Sequence, residues 1–150
     1  MLHLHYLCFI NCELELSAYI REKGLKVTPA RLSVTEVLAD SHLAYSHAEL
    51  EDRFGDMDRV TLYRVLNDLE QAGLVHKIID MDSVTRFALC KHSCPGEHHA
   101  EDHVHFNCRE CHKMFCLEKV QAPVLKVPQG FKTIGSNTLI YGVCKTCSAA

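Results

Sequence analysis

No apolar run in this sequence of 150 residues is long enough to span a membrane. Residues 1–10 are apolar, but they lack the basic start of a signal peptide and lead into an acidic segment. The sequence also lacks internal repeats, a phosphate-binding glycine loop and the GxSxG and HExxH motifs. These absences exclude a membrane-spanning protein and several enzyme classes, and they predict a cytoplasmic protein.

The sequence has no excess of positive charge. Residues 1–80 contain eight lysines and arginines against thirteen acidic residues, whereas residues 81–150 contain eight against six. This distribution counts against a domain that binds nucleic acid through its overall charge. Any contact with phosphate must therefore come from local clusters of basic residues, for which the candidates are Lys26, Arg31, Arg59, Arg64, Lys77 and Arg86.

The first half of the chain predicts four helices, at 13–23, 29–40, 47–55 and 58–72. Thr28 and Pro29 are typical of a helix start, with threonine as the N-cap and proline in the first turn. Ser46 and Glu49 form a capping box. The fourth helix has the clearest apolar stripe, which consists of Leu62, Val65, Leu66 and Leu69.

The opposite face of the fourth helix carries Thr61, Tyr63 and Arg64. Residues 75–80 and 84–90 then predict the two strands of a β-hairpin. An amphipathic helix with an exposed Tyr-Arg pair, followed by a hairpin, favours a winged helix-turn-helix DNA-binding domain. The alternative from this pattern is a small α+β domain whose fourth helix only packs against its own core.

The polar segment 91–102 predicts a domain boundary. The predicted organisation is a winged-helix domain over 1–90, a hinge loop over 91–102 and a small metal-binding domain over 103–150. In the last of these, residues 103–108 predict a strand with His103 and His105 on one face. Residues 117–126 predict a helix interrupted at Pro123, and one or two strands should follow before residue 144.

Nine cysteines are many for a chain of this length, and four of them form two C-x-x-C pairs separated by 32 residues. Paired cysteines at such spacing are typical of a closed, structural zinc site. The alternative is a redox-active dithiol, which would sit beside a βαβ unit that the sequence does not show. We therefore predict structural zinc bound by Cys108, Cys111, Cys144 and Cys147.

A second metal site is predicted beside the first. His103 and His105 are two residues apart on a strand, so both rings leave the same face. His76 and Cys90 lie at the start and the end of the hairpin, and Cys116 follows the first cysteine pair. Three imidazoles and one thiolate would favour zinc. Taken singly, Cys90 is more typical of a small buried apolar residue, and His76 of an exposed strand position.

These residues together resemble the ferric uptake regulator family. The resemblance covers about 13–147 and rests on the segments VTPAR (27–31), DRVTLYRVLNDLEQAGLVHKI (58–78), RFALC (86–90), HVHFNCRECHK (103–113) and GVCKTC (142–147). It implies a homodimeric repressor, not an enzyme, that binds palindromic operator DNA through its winged helices. The C-terminal α/β domain would dimerise around the four-cysteine zinc, and a regulatory metal near the hinge would close the dimer onto DNA.

Carried over to this sequence, the resemblance assigns the regulatory metal to His76, Cys90, His103 and His105. Cys116 stands where some relatives place a carboxylate ligand, and His42 or His47 is an alternative ligand to His76. The DNA contacts fall to Thr61, Tyr63 and Arg64, which match the T-x-Y-R signature, with Arg31 and Arg59 beside them. The segment 135–140 lacks the histidine of a third site, so two metals per protomer are expected.

The thiol of Cys90 resembles the zinc-sensing branch of the family. The expected function is therefore a zinc-responsive repressor. Two alternatives stay open at this point: a sensor of iron or peroxide from the same family, whose regulatory metal would be Fe²⁺ or Mn²⁺, and a zinc-binding thiol redox protein.

Overall fold

A computed structural model describes residues 14–90, 103–133 and 136–150, without the side chain of residue 118. Its core is a six-stranded sheet in the order β2-β3-β1-β5-β4-β6. The strands are β1 (Leu43–Ser46), β2 (Val75–Ile79), β3 (Thr85–Leu89), β4 (His103–Cys108), β5 (Met114–Gln121) and β6 (Leu139–Gly142). The described helices are α1 (14–22), α2 (Pro29–Ala39), α3 (His47–Phe54), α4 (Arg59–Gln71) and the short α5 (Lys145–Ser148).

Local capping explains where the N-terminal helices begin. The Thr28 side chain accepts a hydrogen bond from the backbone of Arg31, and Pro29 opens α2. Ser46 and Glu49 form the predicted capping box at the start of α3. Asp58 caps α4 by accepting from the backbone N–H of Thr61. The helix positions thus follow the sequence prediction.

The main hydrophobic core lies between these helices and the two strands of the hairpin, β2 and β3. The predicted stripe of α4 is buried, and it packs with Ile20, Val34, Leu38, Leu50, Leu74, Val75 and Phe87. Burial of a large aliphatic side chain contributes about 1.5–3 kcal/mol. The helices therefore cover one face of β2 and β3 and leave the other face for a second, smaller core.

The second core joins the two halves of the chain. It contains Ala44 of β1, Ile78 of β2, Ala88 of β3 and Met114 and Cys116 of β5. The strand registers place all five on the same face of the sheet, because Tyr45 pairs with Phe87 and Ala44 pairs with Met114. This face looks away from the main core.

Two features differ from the sequence prediction. Residues 117–126 were expected to form a helix, but β5 extends to Gln121 and the described backbone from 122 to 133 is not helical. Apolar residues at helical spacing are overridden here by pairing with β4, a contact between distant parts of the chain. The strand β1 was not predicted, since its four residues are too few to show alternation.

The predicted boundary at 91–102 lies outside the described residues. On either side of it, β1 pairs with β3 through its second half and with β5 through its first half. The two predicted domains therefore share one sheet. Among the described residues, none of the helices has the length and apolar content required to cross a bilayer.

Candidate metal and DNA sites

Three imidazoles and one thiol converge on the face of the sheet that carries the second core. The ligand atoms of His76, His103, His105 and Cys116 all lie within 4.8 Å of one another. The Nε2 atoms of His76 and His105 are 3.1 Å apart. We call these four residues the His/Cys cluster.

Strand register explains the convergence. His105 pairs directly with Cys116, so their side chains leave the same face of β4 and β5. The register of these two strands shifts between His103 and Val104. Such an irregularity re-aims the side chain beside it. The rings of His103 and His105 accordingly approach to 4.6 Å between centroids.

The cluster requires the sheet to bend. His76 lies on β2 and His105 on β4, four strands apart. In a flat sheet this separation would be about 19 Å, because neighbouring strands lie about 4.8 Å apart. The observed contact means that the sheet curves around this face. Ala88 and Ala44, which are each 2% exposed, lie on the strands between and are small enough to permit the curvature.

Cys90, predicted as a ligand, lies at the edge of the cluster. Its Sγ atom is 3.4 Å from Nδ1 of His76, the ring nitrogen that does not face His105. Its backbone is fixed by hydrogen bonds to Leu74 and Tyr19. In this arrangement Cys116 is the thiol within the cluster, and Cys90 orients His76 from outside.

The two other candidate ligands lie elsewhere. His42 is exposed, and its backbone carbonyl oxygen accepts from the backbone N–H of Cys116 at 2.8 Å. His47 opens α3, with Nδ1 3.6 Å from a carboxylate oxygen of Glu51. Neither belongs to a metal-ligating group in the described part of the chain.

The His/Cys cluster fits a zinc ion. Tetrahedral zinc with Zn–N bonds of about 2.0–2.1 Å would separate two nitrogen ligands by about 3.3 Å, close to the distance between His76 and His105. Burial, together with the neighbouring His103, lowers the pKa of His105 to about 4, although Asn137 acts in the opposite direction. His105 is therefore a neutral imidazole at physiological pH, which is the form that binds metals.

The second group consists of Cys108, Cys111, Cys144 and Cys147, whose sulfur atoms lie within 4.8 Å of one another. Cys108 ends β4, and the parallel pairing of β4 with β6 brings Cys144 beside it. The Sγ atoms of Cys111 and Cys144 are 3.8 Å apart. This matches the edge of a zinc–thiolate tetrahedron, about 3.8 Å for Zn–S bonds of about 2.3 Å. This group can hold a structural metal ion.

Hydrogen bonds within the four-cysteine group distribute its protons unequally. Backbone N–H groups, first that of Cys111 and then that of Cys144, lower the pKa of Cys108 to about 6. The hydrogen bond with Cys144 raises the pKa of the Cys147 thiol to about 12. Cys108 thus forms a thiolate more readily than Cys147 does, and a thiolate is the form that ligates zinc.

The exposed face of α4 carries the predicted DNA contacts Tyr63 and Arg64. Tyr63 is 65% exposed, and its neighbour Arg64 is exposed as well. Arg59, in the first turn, has a side chain that is 79% exposed, and its ion pair with Glu51 is long, at 4.0 Å. Since the buried stripe fixes the other side of α4, these side chains are presented to solvent on a rigid support.

Three other basic or polar candidates are engaged within the chain. Arg31 forms an ion pair with Asp68 at 2.5 Å and donates to the Lys26 carbonyl. The Thr61 hydroxyl donates to Asp58 and completes the N-cap of α4. Arg86 is 7% exposed and contacts two carboxylates, so the expectation that it reaches phosphate is wrong.

The sequence matches the model of the ferric uptake regulator family over residues 22–137. It is 30% identical to the peroxide operon regulator of Bacillus subtilis over 139 residues, which cover 86% of this chain and 88% of that protein. It is 31% identical to the transcriptional regulator FurA of Mycobacterium tuberculosis over 140 residues, with coverage of 86% and 87%.

Solved structures share the fold. A zinc uptake regulator in complex with zinc and DNA superimposes with a TM-score of 0.63 at 18% identity, covering 93% of this chain and 94% of that chain. The ferric uptake regulator of Vibrio cholerae gives a TM-score of 0.57 at 23% identity, with coverage of 85% and 98%. The chain belongs to the ferric uptake regulator family of metal-responsive transcriptional regulators.

Proposed function

We propose that this protein is a zinc-responsive transcriptional repressor that binds a palindromic operator as a homodimer when its His/Cys cluster is filled. The observation that carries the proposal is the His/Cys cluster itself. Its ligands come from β2 on one side of β1 and from β4 and β5 on the other. A bound ion would supply a tetrahedral link between these strands.

The donor set supports zinc as the sensed metal. Three imidazoles and one thiolate suit zinc, whereas carboxylate ligands would favour Mg²⁺ or Mn²⁺. Among the described residues, the cluster contains no carboxylate. We assign the regulatory ligands to His76, His103, His105 and Cys116, with Cys90 hydrogen-bonded to His76. The structural zinc is assigned to the four-cysteine group.

DNA recognition is assigned to α4. Tyr63 and Arg64 project from its exposed face, and Arg59 lies one turn earlier. An arginine in the major groove can donate two hydrogen bonds to guanine, which discriminates between bases. With the hairpin β2–β3 as the wing, residues 1–90 form the DNA-binding domain of this proposal. Residues 103–150 form the dimerisation domain.

A second copy of the chain is the proposed partner of the C-terminal half. Between residues 120 and 143 several large apolar side chains are exposed, among them Val124 at 93% and Leu125 at 73%. Large exposed apolar surfaces mark sites of association. The other members of this surface, which we call the C-terminal apolar surface, are Val120, Val127, Phe131, Ile140, Tyr141 and Val143. Two-fold symmetry then explains a palindromic operator.

Sensing of iron or peroxide is the alternative, because the relatives include a peroxide operon regulator and ferric uptake regulators. The two functions differ in the metal that activates operator binding. Because the thiol ligands must stay reduced in either case, we propose that the protein acts in the cytoplasm.

The test begins with zinc per protomer, measured by elemental analysis under reducing conditions before and after mild chelation. We expect two zinc ions before chelation and one after it. A random DNA duplex pool is then selected with the zinc-loaded protein. An inverted repeat should be enriched, and binding to it should be restored to the chelated protein by Zn²⁺ and not by Fe²⁺.

His105→Ala should keep one zinc and lose zinc-dependent operator binding. His42→Ala is the matched control, because this exposed histidine lies outside both groups, and it should behave as the wild type. Activation by Fe²⁺ alone would instead support the iron sensor. Reversible zinc release on oxidation, without selection of any DNA sequence, would support the thiol redox protein.

A further inference from the structure

The strand β1 occupies an unusual position between the two halves of the chain. It has only four residues, yet its first half pairs with β5 and its second half pairs with β3. The ligands of the His/Cys cluster lie on both sides of it in the sheet, His76 on β2 and the others on β4 and β5. Any force that draws His76 toward His105 therefore acts across β1.

The chain just before β1 is bonded to the cluster. The backbone N–H of Cys116 donates to the carbonyl of His42 at 2.8 Å. Cys116 also supplies the thiol of the cluster. A movement of this thiol therefore also moves the backbone N–H that is bonded to His42. The next pairs along the strands are Leu43 with Phe115 and Ala44 with Met114.

The second end of β1 is bonded to the DNA-binding half. Ser46 is the last residue of β1 and also the N-cap of α3. The Ser46 N–H donates to Glu49 at 2.7 Å, and the same carboxylate oxygen accepts from Arg86 of β3 at 2.7 Å. Arg86 in turn donates to Asp80, which also accepts from the backbone of the hairpin turn. A shift of β1 must therefore move α3 and the hairpin together.

We infer that β1 is the strand through which filling of the His/Cys cluster reorganises α3, α4 and the hairpin for operator binding. The inference rests on the proposed function and specifies its regulation. Zinc stabilises the bent sheet, the bent sheet aligns β1 with β5, and β1 carries the start of α3 with it. An element that two sites both stabilise is the physical basis of coupling between them.

Leu43 provides a variant that does not touch the cluster. Alternation along β1 places it on the face opposite Ala44, where it meets Phe115 across the strands. Leu43→Gly removes this cross-strand contact and weakens the strand, whereas Leu43→Val keeps a strand-forming side chain. The two variants form a matched pair.

The first measurement is amide hydrogen exchange on the full chain in the one-zinc and two-zinc forms, without DNA. In the wild type, the second zinc should slow exchange at 43–46 and in the first turn of α3 as well as in β5. In Leu43→Gly, zinc should protect β5 but leave 43–46 in fast exchange. Equal exchange at 43–46 with one or two zinc ions in the wild type would overturn the inference.

The second measurement is the ratio of operator affinities in the two-zinc and one-zinc forms, with the operator selected as above. Leu43→Gly should lower this ratio about fivefold to tenfold, because it combines the loss of a cross-strand contact with the destabilising effect of glycine in a strand. Leu43→Val should leave the ratio unchanged. Both variants should retain two zinc ions. An unchanged ratio in Leu43→Gly, or loss of its second zinc, would overturn the inference. If the wild type selects no operator, the proposed function fails, and hydrogen exchange still tests the coupling on its own.

Discussion

At the scale of single residues, Arg64 is the side chain on which operator binding should depend most. It is exposed on α4, opposite the buried stripe, and lies apart from both metal-ligating groups. Arg64→Ala should abolish specific operator binding, since one bidentate arginine–guanine contact contributes about 1–3 kcal/mol of discrimination per half-site. Fluorescence anisotropy with the selected duplex measures the loss.

Zinc content separates this role from a structural one. Arg64→Ala should still contain two zinc ions and unfold at the wild-type temperature. Arg21→Ala, at an exposed position on α1, is the control and should bind the operator normally. If Arg64→Ala loses zinc together with binding, Arg64 supports the fold and does not contact DNA.

His112, which follows Cys111 of the four-cysteine group, offers a test of local backbone strain. It adopts a φ of 59°, a left-handed conformation that costs a residue with a Cβ atom about 1–2 kcal/mol. His112→Gly relieves this strain, but glycine loses more chain entropy on folding than histidine does. The net result should be a gain in stability of up to about 1 kcal/mol. The melting temperature should rise by about 2–4 °C in zinc-loaded protein.

The neighbouring Lys113→Gly is the control for His112→Gly. Lys113 is exposed and is not among the described non-glycine residues with positive φ. Glycine there gains no relief of strain and should lower the melting temperature. A lower melting temperature in both variants would show that the positive φ of His112 does not destabilise the protein.

At the scale of elements, the ion network of Asp80, Arg86 and Glu49 fixes the hairpin to α3. The side chains of Arg86 and Asp80 are 9% and 3% exposed, and Glu49 is 43% exposed. Arg86→Met should lower the free energy of unfolding by about 3–5 kcal/mol, because it leaves buried Asp80 without its charged partner. Chemical denaturation at pH 7 measures this loss, with Arg21→Met as the exposed control.

The same network predicts the pH dependence of stability. Burial opposes ionisation of Asp80, but hydrogen bonds from Arg86, Val84 and Asp82 outweigh it and keep the pKa below 3.8. The pKa of Glu49 is likewise held below 4.5. Because both values are lowered by folding, the stabilisation is present above about pH 4.5 and is lost as the pH falls through the folded values. Arg86→Met should show a weaker loss over this range than the wild type at equal zinc content.

The curvature of the sheet depends on the small side chain of Ala88. Its partner in the register is His76, on the concave face. Ala88→Leu should overpack this face at a cost of about 1–3 kcal/mol and separate His76 from His105. Elemental analysis should find one zinc ion instead of two. Ala18→Leu, at an exposed helix position, should keep both.

The sequence predicted elements with local signals and missed those that depend on distant partners. Caps at Thr28 and Ser46 identified two helix starts, and both are confirmed. The strand β1 has partners in β3 and β5, about 40 and 70 residues away, so no local pattern marks it. Cys116 was predicted only as a possible additional ligand, because its place in the cluster follows from its pairing with the distant His105. Alternation of Met114 and Cys116 was the available signal.

At the scale of the whole molecule, charge and association must be considered together. The net charge is −3, so a single chain has little general attraction for DNA. Many of its cations are also engaged, as Lys77 is with Glu70 and Arg31 with Asp68. In the proposed function, specific binding requires two copies of α4 held at a fixed spacing, so dimerisation would be a condition for that function.

The last prediction therefore concerns the C-terminal apolar surface. Leu125→Glu should convert the dimer to a monomer, because it places a charge in an interface that is expected to be desolvated. Sedimentation velocity measures the change in mass. Lys126→Glu is the matched control, since it alters charge at the next exposed position of the same segment, and it should remain dimeric. Both variants should contain two zinc ions, because the metal-ligating groups lie within one chain. Leu125→Glu should then lose operator binding while keeping its zinc. A dimeric Leu125→Glu would assign dimerisation to another surface, and a monomer that still binds the full operator tightly would remove the need for two-fold symmetry from the proposed function.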